Sequence, residues 1–139
     1  MSAVIIRQLL EEAALAVDPT FATAWENVIF VPVSGTPYQQ VVLMLATPQN
    51  PTFSNQAAPD FTREIGYLQI TLHYPQGAGP KDAYAKAQAL RAVFFQGKTF
   101  TSGNITVIIS GTPAIAPGRV DGDRWSIPVK IPFFANVYG

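Results

Sequence analysis

Two segments of the chain show the spacing of an amphipathic helix. Apolar residues recur at three- and four-residue intervals in Ser2–Val17 and again in residues 81–96. Pro80 and Gly97 border the second segment, since proline suits the first turn of a helix and glycine suits its end. The pattern therefore predicts two helices, with inner stripes of Ile6, Leu9, Leu10, Ala13 and Val17, and of Ala83, Ala87, Leu90 and Phe94.

Alternating and continuous apolar runs predict the strands. They cover residues 28–33, 40–47, 64–74, 104–110 and 124–136, with a shorter extended stretch at 112–116. An Asp-Gly pair at residues 121–122 predicts a hairpin before the last strand. This order of elements favours an α+β fold, a mostly antiparallel or mixed β-sheet with two main helices packed on one face. The core-facing strand residues would be Leu68, Ile70, Leu72, Tyr74, Ile105, Val107, Ile109, Trp125, Ile127, Val129, Ile131 and Phe133.

The strand at residues 40–47 is apolar on both faces. One face carries Val41 and Leu43, and the other carries Val42 and Met44. A strand that is apolar on both sides is normally buried on both sides. Because the predicted helices cover only one face of the sheet, the second face needs another cover, and a partner subunit would supply it.

Two prolines in the last strand constrain its neighbours. Pro128 and Pro132 lack an N–H, and their even spacing places both missing donors along the same side of the strand. The sequence therefore predicts an edge strand, or a strand whose proline side lies opposite a gap. Regular pairing of Lys130 on both sides would contradict the edge position.

Residues 48–62 form a long segment with three prolines and no usable period. We interpret it as an exposed loop within one domain that spans residues 1–139, since loops of more than ~12–15 residues are uncommon and often functional. Phe53 and Phe61 lie in this segment, and aromatic side chains in loops are candidates for partner contacts.

Composition excludes several classes of function. The nine basic and nine acidic residues cancel, and 13% of residues are charged, about half the usual ~25%. Nothing resembles a basic surface for nucleic acid, a leader peptide or a membrane span, so we expect synthesis in the cytoplasm without membrane contact. The chain has no cysteine and one histidine, which excludes thiolate sites and histidine clusters.

Three features of the sequence are candidates for a reactive or binding site. Residues 77–80 read Gly-Ala-Gly-Pro between a strand and a helix, but the third glycine and the Lys-Ser/Thr pair of phosphate loops are missing. Asp121 and Asp123 lack the further ligands of a calcium loop. His73 lies on the polar side of its strand, which is typical of a surface residue. We therefore predict no catalytic, cofactor or metal site.

Several segments in a fixed order resemble the small tail terminator family of long-tailed bacteriophages, which includes lambda-like minor tail proteins and is also catalogued as a phage-related domain of unknown function. They are residues 24–28 (Ala-Trp-Glu-Asn-Val), 35–38 (Gly-Thr-Pro-Tyr), 66–70 (Gly-Tyr-Leu-Gln-Ile), 74–79 (Tyr-Pro-Gln-Gly-Ala-Gly), the alanine-rich helix to Phe94 and the proline-bearing strand 125–134. The resemblance covers nearly the whole chain. It implies a structural protein of the virion and not an enzyme.

Further implications of the resemblance concern assembly. Such a protein forms a hexameric ring from subunits that are often monomeric in solution, caps the tail tube, ends its polymerisation and joins the head connector. Its partners would be copies of itself, the tail tube protein and the head–tail connector, with no nucleic-acid contact required. The alternatives are another neck or tail-junction protein, or a small-ligand or carbohydrate-binding module. The predicted contact residues are Val42, Met44, Phe53, Phe61, Tyr67, Gln69 and His73.

Overall fold

The computed structural model describes residues 2–18, 21–33, 35–46, 61–77, 80–122 and 124–138. Within these ranges the chain forms two helices and eight strands. In order they are α1 (Ser2–Val17), β1 (Ala22–Trp25), β2 (Tyr38–Leu45), β3 (Phe61–Pro75), α2 (Lys81–Val93), β4 (Thr99–Ser102), β5 (Ile105–Ile109), β6 (Ala114–Ile115), β7 (Arg119–Asp121) and β8 (Arg124–Tyr138).

The strands form one mixed sheet with the order β1-β2-β3-β8-β5-β4. Its centre is the antiparallel pair β3 and β8, which match each other over their full 15-residue lengths. The β1–β2 pair is parallel, and β6 and β7 add to β8 beside β5. The predicted α+β class with a mostly antiparallel sheet and two helices is confirmed.

The helices cover one face of this sheet, which we call the inner face. Helix α1 packs near β4 and β5, and α2 packs over β3. Each fully buried aliphatic or aromatic side chain there contributes roughly 1.5–3 kcal/mol. The predicted core is confirmed for most positions, and the remaining predicted residues are partly buried. The fully buried residues include Ile6, Leu10, Leu68, Ile70, Leu72, Ala83, Ala87, Leu90, Phe94, Val107, Ile127, Val129 and Ile131.

The predicted strand at residues 28–33 is wrong. The strand in this region is β1, and the chain leaves it through a turn in which Asn27 adopts a positive φ of 57° and Val28 N–H bonds Trp25 C=O. Residues 29–33 have no regular structure, and Pro32 removes one main-chain donor there. Their branched side chains have high strand propensity, but no described strand pairs with them.

The predicted edge position of the last strand is also wrong. Lys130 in β8 pairs with Gln69 of β3 on one side and with Ala114 of β6 on the other. The carbonyls of Pro128 and Pro132 accept hydrogen bonds from Ala116 N–H and Ser110 N–H, so both prolines do face the same side. On that side the neighbour consists of three short strands, and each proline lies at a break between two of them. A central strand thus accommodates prolines because its neighbour is interrupted.

Two predicted boundaries shift by three residues. Strand β3 begins at Phe61, so the end of the predicted loop 48–62 is strand, and residues 48–60 lie outside the described residues. Helix α2 ends at Val93, and Gly97 takes its positive φ of 92° in the following turn. The hairpin between β7 and β8 is confirmed, with Gly122 at a positive φ of 63°.

Candidate interaction surface

Four of the predicted contact residues lie together on the outer face of the sheet, opposite the helices. The strand register places Val42 of β2 beside Gln69 of β3, and Met44 beside Tyr67. Met44 is 45% exposed, while the other three side chains are partly exposed. No described helix or strand packs over this face. The apolar second face of β2 is therefore uncovered in the described part of the chain.

Strand β8 extends this face with residues that sequence reasoning missed. Lys130 lies beside Gln69, with its Nζ 4.0 Å from the centre of the Tyr67 ring. At the far end, the Arg63 guanidinium lies 4.9 Å from the Phe134 ring centre, and its Nε donates to Asn136 Oδ1 at 3.2 Å. Cations over aromatic rings contribute about 0.5–1 kcal/mol at exposed sites. Finding these residues required the β3–β8 register, which the sequence does not specify.

The sequence predicts His73 to be a surface or interface residue; it shares the outer side of β3, but neighbouring residues of the chain leave it only 6% exposed, and its role in an interface stays a prediction. Its Nδ1 lies 2.7 Å from Ser126 Oγ on β8, and the Tyr38 ring stacks on it with centroids 4.6 Å apart. A partner could not touch this ring without displacing Tyr38. We leave His73 out of the surface proposed below.

The structure describes one of the two aromatic residues predicted in the loop. Phe53 lies outside the described residues. Phe61 pairs through its main chain with Tyr138 at one end of β3. Their roles as contact residues remain predictions.

An apolar segment at residues 28–33 is the most exposed hydrophobic feature among the described residues. Ile29 is 96% exposed, Val31 78%, Val33 65% and Val28 59%. The segment connects β1 to β2, and the end of β2 adds Met44 and Leu45 at 45% and 42% exposure. Isolated exposed aliphatic residues are ordinary, whereas several along one border of a sheet indicate an interaction surface. We call these six residues the edge patch.

The end of the segment is fixed to the sheet. The Arg124 guanidinium donates to the carbonyls of Val33, at 2.8 Å, and of Thr36. The Phe30 ring lies 5.0 Å from the Tyr38 ring, and Arg124 also lies over that ring at 5.1 Å. These contacts hold the exposed aliphatic side chains in place, which reduces the ordering cost when a partner binds.

Glu26 links the edge patch to α1. Its Oε1 accepts hydrogen bonds from Leu43 N–H at 2.7 Å and from Arg7 Nη1 at 2.8 Å, and Arg7 also binds Glu11 at 3.2 Å. The Leu43 N–H bond, followed by the Arg7 charge, lowers the pKa of Glu26 below its usual value. The Glu26 bonds raise the pKa of Arg7. The carboxylate therefore stays ionised at neutral pH and occupies the main-chain donor of Leu43.

The described residues contain no group of three or more His, Asp or Glu side chains that could hold a metal ion. Neither helix in that part of the chain is long and apolar enough to span a membrane. A cleft of about 330 Å³ lies where β3 leads into α2, lined by Pro75, Gln76, Gly77, Pro80 and Trp125. None of these side chains titrates, so the cleft offers contact area without acid–base chemistry.

Comparisons with known proteins identify the fold and the family of this chain. A solved structure superposes with a TM-score of 0.76 at 22% sequence identity, covering 100% of this chain and 99% of the other, which shows a shared fold. No curated protein matches the sequence. The family described as phage tail terminator protein matches residues 3–133, which is nearly the whole chain. This chain therefore belongs to the phage tail terminator family and is a structural protein of the phage tail.

Proposed function

We propose that this protein caps the finished tail tube, ends tube polymerisation and provides the surface to which the head connector joins. The single observation that carries the proposal is the family match over residues 3–133. The exposed edge patch supports it, because a protein that acts by contact needs apolar surface that stays accessible until its partner arrives.

The working form that we propose is a hexameric ring of identical copies, assembled on the tube end from subunits made in the bacterial cytoplasm. A closed ring requires two different complementary surfaces on each subunit, since each copy contacts its two neighbours through unlike faces. We assign one of these surfaces to the edge patch with Val42, Tyr67 and Gln69 on the adjoining outer face. Phe53 and Phe61 would extend contacts to the tube or to a neighbour.

Removing the gene tests the capping role. A phage that lacks this protein is expected to produce tails of excessive and variable length without attached heads, because nothing stops addition of tube subunits. Electron microscopy of lysates measures the length distribution, and complementation with the natural gene is the control. Tails of normal length without heads would contradict the capping role and would indicate another neck or tail-junction protein.

A further inference from the structure

The sheet has an open edge where β2 extends past β1. Strand β1 ends at Trp25, opposite Val41, while β2 continues to Leu45. Ala46 N–H bonds Ile65 C=O on β3, and main-chain groups alternate in direction along a strand. The main chain of Leu43 and Leu45 therefore faces away from β3, towards an edge with which no described strand pairs.

A carboxylate occupies part of this edge. Glu26 Oε1 accepts from Leu43 N–H at 2.7 Å, in the position where the carbonyl of an added strand would lie. With Glu11 and Arg7 it forms a cluster of net charge −1. Charged side chains at a sheet edge protect it against uncontrolled strand addition. One main-chain donor of this edge, the Leu43 N–H, is thus satisfied in the single chain, and the edge carries a negative charge.

The opposite edge of the sheet, strand β4, is complementary. Lys98 C=O accepts from Ile109 N–H on β5, so alternation directs the main chain of Thr99 and Thr101 away from β5. Lys98 is the only charged residue between positions 95 and 104, and its Nζ lies over the Phe95 and Phe100 rings. This edge therefore presents two outward-facing residues, one cation and an exposed Phe95.

We propose that β4 of one copy adds to the free end of β2 of the next copy, so that the sheets of neighbouring subunits become continuous. Each edge has two residues whose main chain faces outward, and on both edges these residues lie two positions, or about 7 Å, apart. The two edges therefore match in number and spacing of outward-facing residues. In the junction, Lys98 lies near the Glu26 cluster. Glu26 then gives up its hydrogen bond with Leu43 N–H, and this donor binds a carbonyl of the added strand instead.

The two edges are different. A growing assembly therefore always ends in one free β2 edge and one free β4 edge until the ring closes. This inference rests on the proposed function only for the head-to-tail order of copies. It assigns the second surface of each subunit to β4. It also gives the Glu26–Leu43 bond a role in keeping the unassembled chain from pairing indiscriminately.

Engineered cysteines test the junction, because the natural chain has none. The register places the exposed side chains of Met44, Thr99 and Thr101 all on the outer face. We expect Met44→Cys combined with Thr101→Cys, or with Thr99→Cys, to give a ladder of disulfide-linked oligomers after mild oxidation. The samples are the concentrated purified protein and phage particles that contain it, resolved on non-reducing gels.

The matched control pairs Met44→Cys with Gln88→Cys, an exposed position on α2 with the same number of thiols. It is expected to remain monomeric on the gel. The inference is overturned if neither β4 pair cross-links in the purified protein or in the phage particles. It is also overturned if the control gives an equal ladder of oligomers. The tail lengths of phages that carry the same variants test the capping role separately.

Charge reversal tests the role of Lys98. Lys98→Glu in the cross-linking background is expected to lower the ladder yield about tenfold, whereas Lys81→Glu, at an exposed position on α2, leaves it unchanged. Equal yields in the two variants would contradict the pairing of Lys98 with the Glu26 cluster.

Discussion

A phage that carries Met44→Asp in this protein is expected to lose most of its infectious particles while the purified variant stays folded. Met44 is 45% exposed and belongs to the edge patch, so an ionised side chain there meets solvent in the free chain. Burial of that charge in an apolar contact costs about 2 kcal/mol or more per interface, a loss of about 30-fold in affinity at each contact. Plaque titres and the fraction of tails joined to heads measure the effect.

Val120→Asp is the matched control, because Val120 is 61% exposed on β7, which pairs with β8 and not with β2. It introduces the same charge and is expected to leave titres near those of the natural phage. Thermal unfolding of both purified variants separates folding from assembly. A normal titre with Met44→Asp, or an equal loss with Val120→Asp, would refute the assignment of the edge patch as the contact surface.

Gly66→Ala is expected to destabilise the protein by about 3 kcal/mol or more. Gly66 lies in β3 between Leu45 of β2 and Phe133 of β8. A Cβ at this position would overlap the main-chain carbonyl oxygen of Met44, which cannot move aside without separating β2 from β3. The substitution therefore distorts the same strand end that carries the edge patch. Urea unfolding measures the loss.

The control for this prediction is Gly111→Ala. A Cβ there meets only Pro132 Cγ, at 3.4 Å, which is close to ordinary van der Waals contact. Loss of glycine freedom in the unfolded chain should offset any small strain, so we expect a change within about 1 kcal/mol. A Gly66→Ala protein as stable as the Gly111→Ala protein would mean that β2 and β3 are not held as closely as described.

Hydrophobic periodicity was sufficient to predict most of the core. Leu68, Ile70 and Leu72 alternate with less buried neighbours, and Leu90 with Phe94 repeats at helical spacing, so burial of one face dictates both patterns. Such patterns can be recognised in the sequence without knowledge of which strands pair. They identify the helices, the two long strands and the face that packs inward.

The errors occurred where the neighbour of a segment decides its structure. Residues 28–33 have the composition of a strand but pair with none of the described strands, and β4 was missed because Phe100 is its one apolar residue. Pro128 and Pro132 are compatible with an edge or with an interrupted neighbour, and only the positions of β5, β6 and β7 distinguish the two. Pairing between distant segments is not encoded in local composition.

The candidate surface was predictable only in part. The apolar outer side of β2 identified Val42 and Met44, and alternation in β3 added Tyr67 and Gln69. Register between strands then decides which of these residues share a surface, and it added Lys130. The exposure of Ile29 could not be inferred, since an apolar residue in the sequence is ordinarily assigned to the core.

The central claim is that this protein acts by contact at the end of the tail tube. The most direct measurement is the length of tubes polymerised from the purified tube protein of the same phage, with increasing amounts of this protein added. The account predicts progressively shorter tubes, each with a ring of the added protein at one end, and little effect of the Met44→Asp variant. Tube lengths that do not depend on the added natural protein would contradict it.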